Sequence, residues 1–261
     1  MNDADRLKAL QDDQHRAGTL LYLEGPTDVA LFFALLGIRR PSSDIHQDVY
    51  VKGLNGVKDV RSCTRVAAAN KLTRVFGIID GDGLDLTQLQ PLFDAPHLGP
   101  LFSWKGYCIE NIAAQAAWPA AWGAMPNLAI YAPYVAFNTV QDELSKTFKK
   151  LRFIQFDRPK ANVELATEAD LRNVLTNKQA AMNAVDVKHL YNQALGAYLN
   201  LQSAAEIHTK LNGKWLVEHH ACEVTGASIQ VCREAWVNVI TAAGGHSEVR
   251  AWWQRVMGQA P

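Results

Sequence analysis

The stretch TLLYLEGPTDVALFFALLG, residues 19–37, constrains the fold more than any other. It begins as a short apolar run closed by Glu24 and Gly25, the pattern of a buried strand. Pro26 follows, and proline suits a first helical position because the N–H it lacks has no intrahelical partner there. From Pro26 the apolar residues take helical spacing as far as Gly37, a natural C-terminal stop. A strand, a tight turn and a helix therefore follow one another directly.

The same alternation continues. DVYVKG (48–53) reads as a second strand and NGVKDVRSCTRVAAANKL (55–72) as a second helix. RVFGIID (74–80) reads as a third strand and SWKGYCIEN (103–111) as a fourth. Strands that alternate with helices imply an α/β fold, with a mostly parallel sheet covered by helices on both faces. Such sheets collect their ligands at the carboxyl ends of the strands.

After residue 112 the character changes. The chain becomes rich in alanine and aromatic residues, interrupted by Pro119, Pro126 and Pro133. Helical spacing then returns near 165–182, 186–201, 203–220, 227–243 and 247–258. Thr167 and Asp170 resemble a capping box, with Asp in place of the usual Glu. The expected organisation is an α/β domain over 1–115, then a mainly helical C-terminal region over 116–261 that completes a cleft or binds a partner.

The carboxylates stand where that sheet would present them. VFGIIDGDGLD (75–85) ends an apolar β-branched run in Asp80, Asp82 and Asp85. Like charges so close need bulk water or a bound cation to offset their repulsion. Glu24 closes the first strand, and Asp28 falls in the first turn of the following helix. Glu110 ends the expected fourth strand. Acids converging on one rim suit a hard, oxygen-liking cation such as Mg²⁺ or Mn²⁺, which can activate water and stabilise a leaving oxygen in phosphodiester chemistry.

LYLEGPTDVALFFALLG, GIIDGDG and YCIEN, in that order, resemble the signature of the Toprim fold. Asp28 and the Glu-Asn pair at 110 and 111 are most similar to the nucleases of the overcoming-lysogenisation-defect type, and a closer match is a Toprim group found beside ATPases in bacterial phage-defence loci. The resemblance spans roughly residues 19–112, with a weaker echo in LNGKWLV (211–217). It implies a Toprim-like domain with Glu24, Asp28, Asp80, Asp82 and Glu110 as metal ligands. It also implies catalytic roles for Glu24 as general base and Lys214 as stabiliser of a pentavalent phosphate. Pro26 departs from the pattern, because the family often has Lys there. The implied activity is a metal-dependent endonuclease acting on DNA or RNA, as a phage-defence effector held in check by a separate ATPase. The chain has no G-x-x-x-x-G-K-[ST] loop of its own.

Other readings stand beside this one. D-G-D-G-L-D also resembles the start of a calcium loop, but an apolar β-branched run precedes it and Pro91 stands at loop position 12, where that motif needs Glu. A polar turn with solvated acids is the plainest alternative. A small RNA-maturation nuclease and a non-catalytic, metal-stabilised interaction module remain alternatives to the defence nuclease. The segment 146–160 sets Lys149, Lys150 and Arg152 among phenylalanines, as either a nucleic-acid track or an amphipathic connection.

Composition limits the partners. With 26 basic and 26 acidic residues the chain has no global field for a polyanion, so any nucleic-acid binding must be regional. Four cysteines without a C-x-x-C pair give no zinc-finger spacing and suit a reducing compartment. The charged N-terminus lacks the apolar core of a signal peptide, and no apolar run is long enough to span a bilayer. A soluble cytoplasmic protein is expected, and a homodimer is compatible with the sequence.

Overall fold

The computed structural model describes residues 2–81, 90–91, 100–104, 106, 108–122, 132–133, 136, 140, 144, 180, 183–200, 213–215 and 221–258. Its elements in chain order are α1 (Asp3–Gln14), β1 (Thr19–Leu23), α2 (Pro26–Leu35), β2 (Ile45–His46), β3 (Val49–Gly53), α3 (Val57–Ala69), β4 (Val75–Ile79), β5 (Gln90–Pro91), β6 (Leu101–Ser103) and α4 (Ile109–Trp122). After these come α5 (Val187–Leu199), the single turn α6 (Gly213–Trp215), α7 (Cys222–Thr225), α8 (Ile229–Ala242) and α9 (Ser247–Met257).

The strands form one six-stranded sheet in the order β2-β3-β1-β4-β6-β5. Every pairing is parallel except β2 with β3. That antiparallel edge was not expected from the sequence. Its two-residue turn, Gln47–Asp48, has φ of 48° and 61°. Positive φ at both turn residues matches the twist of a tight hairpin, and the Asp48 carboxylate fixes the turn by accepting the Gly18 N–H at 2.7 Å. Asp48 is thus a turn residue and not the start of β3.

β1 is buried along its whole length, as a central parallel strand should be. Leu20 and Tyr22 pack with Leu10 of α1 and with Val60, Cys63, Val66 and Ala67 of α3. Leu21 and Leu23 are equally buried, and alternation along the strand turns them to the other face. β3 ends beside the turn that leaves β1: a side chain at Gly53 would collide with the Gly25 carbonyl and the Pro26 backbone, so only glycine fits.

α1 was not expected, because its sequence is charged throughout. Polar contacts fasten it. Asn2 caps its first turn by accepting the Asp5 N–H at 2.9 Å. Arg6 pairs with Asp59 at 2.8 Å, and buried Asp13 accepts from the Tyr22 hydroxyl at 3.0 Å and from Lys52 Nζ at 2.8 Å.

The chain divides into Met1–Pro126 with His208–Pro261, and Asn127–Ile207. The expected boundary at 115/116 is therefore replaced by a discontinuous unit, in which the last helices complete the α/β layer. α8 packs against α2 and α4. The α8–α9 turn joins the end of α2, where the His246 N–H donates to the Leu35 carbonyl at 2.7 Å. Trp252 meets Phe32 edge-on at 6.3 Å between ring centroids and Phe102 at 5.3 Å, and Trp253 lies 6.0 Å from Phe32. Both indoles are fully buried. In the other unit, Asp186 caps α5 by accepting the His189 N–H at 2.9 Å. The expected helix at 165–182, apart from residue 180, and the Thr167–Asp170 box lie outside the described residues.

This packing predicts that Trp252→Ala destabilises the folded chain by about 3–5 kcal/mol, as large-to-small core substitutions of aromatics do. Urea denaturation followed by circular dichroism measures it. A loss below ~1 kcal/mol would mean that α9 is not part of the core.

Candidate functional site

Parallel pairing decides which acids meet. β1 and β4 are neighbours, with Leu20 opposite Val75 and Tyr22 opposite Gly77. Glu24 and Asp80 therefore leave the sheet side by side at its carboxyl edge. Glu24 Oε1 accepts the Asp80 N–H at 2.7 Å, which ties the two strand ends together. Asp28 reaches the same turn from α2, with Oδ2 accepting the Gly25 N–H at 2.8 Å.

Glu110 arrives by a different route from the one expected. β6 stops at Ser103 and α4 begins at Ile109, so Glu110 sits in the first turn of a helix instead of at a strand end. A carboxylate is favoured at a helix N-terminus by the exposed N–H dipoles. The side chain is fully buried, and Oε1 accepts from Arg233 Nη2 of α8 at 3.1 Å.

Lys214 comes from far along the chain. It lies on the single turn α6, and its Nζ stands 2.8 Å from Asp80 Oδ2. α6 is seated directly on the start of α4. Asn111 Oδ1 accepts the Gly213 N–H at 3.2 Å and the Cys108 N–H at 3.0 Å. A Cβ at Gly213 would lie 2.6 Å from the Asn111 nitrogen and 2.9 Å from the Glu110 carbonyl carbon, so the close approach that delivers Lys214 requires glycine.

The charges influence one another strongly. Burial pushes Asp28 above the ordinary carboxylate range and Asp80 repels it further, while Lys214, the Gly25 N–H and Arg233 oppose the rise. Burial likewise raises Asp80 against the opposing charge and hydrogen bond of Lys214. The Ile109 amide also favours the charged form of Asp80, without completing a hydrogen bond at Oδ1. Glu110 is raised by burial, eased by Lys214 and raised again by Asp28. The ion pair with Arg233 works in the same direction as Lys214. For Lys214, burial disfavours the ammonium, but Asp80 and Glu110 outweigh it and hold the group positive. The buried Cys108 thiol is pushed well above its ordinary value, which makes it a poor nucleophile.

Asp80 Oδ1 and Glu110 Oε2 are buried with no hydrogen-bond partner among the described residues. Orphaned carboxylate oxygens suit a hard cation, and Mg²⁺ takes as few as one or two protein carboxylates, with water and phosphate completing its shell. Among the described residues no group of three His, Cys, Asp or Glu side chains is placed to hold a metal together. Lys214 supplies part of the positive charge instead. Asp82, expected as a ligand beside Asp80, lies outside the described residues, as do Lys149, Lys150 and Arg152.

Two roles were not read from the sequence. Arg233 had no signal beyond a cation on an amphipathic helix. Asn111, although adjacent to Glu110, gave no hint that it would seat Gly213. A cavity of about 440 Å³ between α2 and α8 is lined by Thr27, Arg40, Arg233, Glu234 and Asn238 among others. Arg233 thus borders both this cavity and Glu110. Comparison of the chain with family models, with curated proteins and with solved structures finds no match.

The raised value of Asp28 has a consequence for stability. A carboxyl whose folded pKa lies above its unfolded one favours folding below the unfolded pKa, and that contribution is lost as pH rises through the folded value. The substitution Asp28→Asn would mimic the protonated acid and keep an oxygen for the Gly25 N–H. The Tm of Asp28→Asn minus that of wild type should therefore increase from acid to neutral pH in a differential scanning series. A difference that shrinks toward neutral pH would show that Asp28 is stabilised as a charge.

Proposed function

We propose that this chain is a Toprim-type, metal-dependent phosphodiesterase that cuts nucleic acid. The observation that carries the reading is the position of Asp80. This buried carboxylate at the end of a central parallel strand is joined through its amide to Glu24 and through its side chain to Lys214. Two strand ends and a segment from the far side of the sequence thus converge on one charged edge, where α/β sheets place their chemistry.

Each side chain has a task in such a reaction. A divalent ion held by Asp80, Asp82 and the neighbouring acids would supply a Lewis acid for the phosphoryl oxygens. Glu24 takes the proton of the attacking water as general base, with its carboxylate oriented by the Asp80 N–H. Lys214 neutralises charge that develops on the phosphate, and its ammonium is already positive in the folded protein. Arg233 and Arg40 border the cavity beside α2, Arg233 paired with Glu110 and Arg40 with Asp44, so a backbone phosphate there would compete with those carboxylates. The proposed setting is cytoplasmic phage defence, with a separate ATPase partner supplying the nucleotide sensing, since this sequence has no G-x-x-x-x-G-K-[ST] motif. Among the described residues no helix is long and apolar enough to cross a membrane.

One observation favours the non-catalytic reading as well. Lys214 already compensates Asp80 at 2.8 Å, as in a purely structural charge pair. Activity separates the two. Wild type should cut plasmid, single-stranded DNA or total RNA with Mg²⁺ or Mn²⁺, Asp80→Ala should abolish cutting, and Lys214→Ala should slow it by roughly 100- to 1,000-fold. Equal cutting by wild type and Asp80→Ala would refute the site. No cutting by wild type with either metal, while the metal still raises its Tm, would favour the interaction module.

A further inference from the structure

Two of the four cysteines lie outside the charged site and close to each other. Cys222 opens α7 and Cys232 lies in α8, and their Sγ atoms are 3.8 Å apart. Both are in the thiol form. Cys232 is buried at 1 % exposure, whereas Cys222 is half-buried. Thr225 Oγ1 is 3.5 Å from Cys232 Sγ, so the buried sulfur has a polar neighbour. Between the cysteines the chain turns at Gly226, with φ of 67°, and restarts as α8 at the Ser228 cap, whose hydroxyl accepts the Val231 N–H at 3.4 Å. To become a covalent bond, this contact would have to close from 3.8 Å to about 2.05 Å between sulfurs.

We propose that Cys222 and Cys232 are a dithiol site that closes to a reversible disulfide when a low-molecular-weight disulfide such as oxidised glutathione is present. The more accessible Cys222 attacks first as thiolate, forming a mixed disulfide and releasing one reduced glutathione. Cys232 then attacks Cys222 Sγ, the intramolecular bond forms, and the second glutathione leaves as its thiol. The protein loses two protons and two electrons, and the oxidant gains both.

The location gives the bond a structural effect. Cys232 directly precedes Arg233, the partner of Glu110. Cys222 lies eight residues after Lys214, the partner of Asp80. The disulfide would join α7 to α8, the helix that brings Arg233 to Glu110. The inference does not depend on the nuclease reading, since it concerns only the thiols.

The test uses the full chain. Reduced protein is incubated with oxidised glutathione, quenched with an alkylating agent and analysed by intact mass and peptide mapping. The expected product is lighter by two hydrogens, carries a Cys222–Cys232 linked peptide and reverts with dithiothreitol, while Cys63 and Cys108 remain alkylatable after unfolding. Cys232→Ala should stop at a glutathione adduct on Cys222. The wild-type map decides the matter even if that variant misfolds. A wild-type protein that stays reduced, stops at the adduct or links other cysteines would overturn the proposal. The folded chain should also hold the bond in buffer at least ~10-fold more reducing than the urea-unfolded chain, and equal poise in the two states would show that the fold does not favour it.

Discussion

Asp80 is the residue on which the charged edge depends. Its backbone is fixed by β4, its amide is held by Glu24 and its carboxylate by Lys214. A carboxylate at 1 % exposure is costly unless it is compensated, because burial removes the water that would otherwise solvate it. Compensation by a lysine 134 positions away draws α6 onto the start of α4. The same pattern recurs beside it, where Arg233 compensates Glu110 across 123 positions. These two long-range pairs bring the C-terminal segments into the α/β unit as surely as the apolar packing does.

The packing works to the same end from the other side of the sequence. Phe32, Phe102, Trp252 and Trp253 form an aromatic layer contributed by α2, β6 and α9, and His246 ties the α8–α9 turn to the end of α2. α8 is thereby held against α2, which brings Arg233 near Glu110 and Asp28. The positions of the cations follow from core packing at least as much as from attraction between charges. Desolvation offsets much of the Coulombic gain of a buried ion pair, so this division of labour is what the physics would favour.

The parallel sheet was legible because its central strands are short apolar runs with helices between them. β1, β3 and β4 fall close to where the apolar pattern puts them. The approach of Glu24 to Asp80 was legible too, since it follows from parallel strands ending at one edge. The route of Glu110 was not. Its segment has no turn residue to separate strand from helix except Gly106, and YCI reads equally well as either. α1 escaped because its docking is polar, and a charged helix gives no apolar period to detect. Arg233 and Asn111 escaped for another reason: their importance comes from tertiary neighbours more than a hundred residues away, which local spacing does not encode.

Lys214 and Asp80 act as a unit at this edge, and a double-mutant cycle tests their coupling most directly. Unfolding free energies of wild type, Asp80→Asn, Lys214→Met and the double variant would be measured in urea at neutral pH. Because the lysine is partly exposed while the aspartate is buried, the expected coupling is about 1–2 kcal/mol, less than for a fully buried pair. Additivity within ~0.5 kcal/mol would mean that the two charges do not sense one another, and the C-terminal lysine would have no place at this edge.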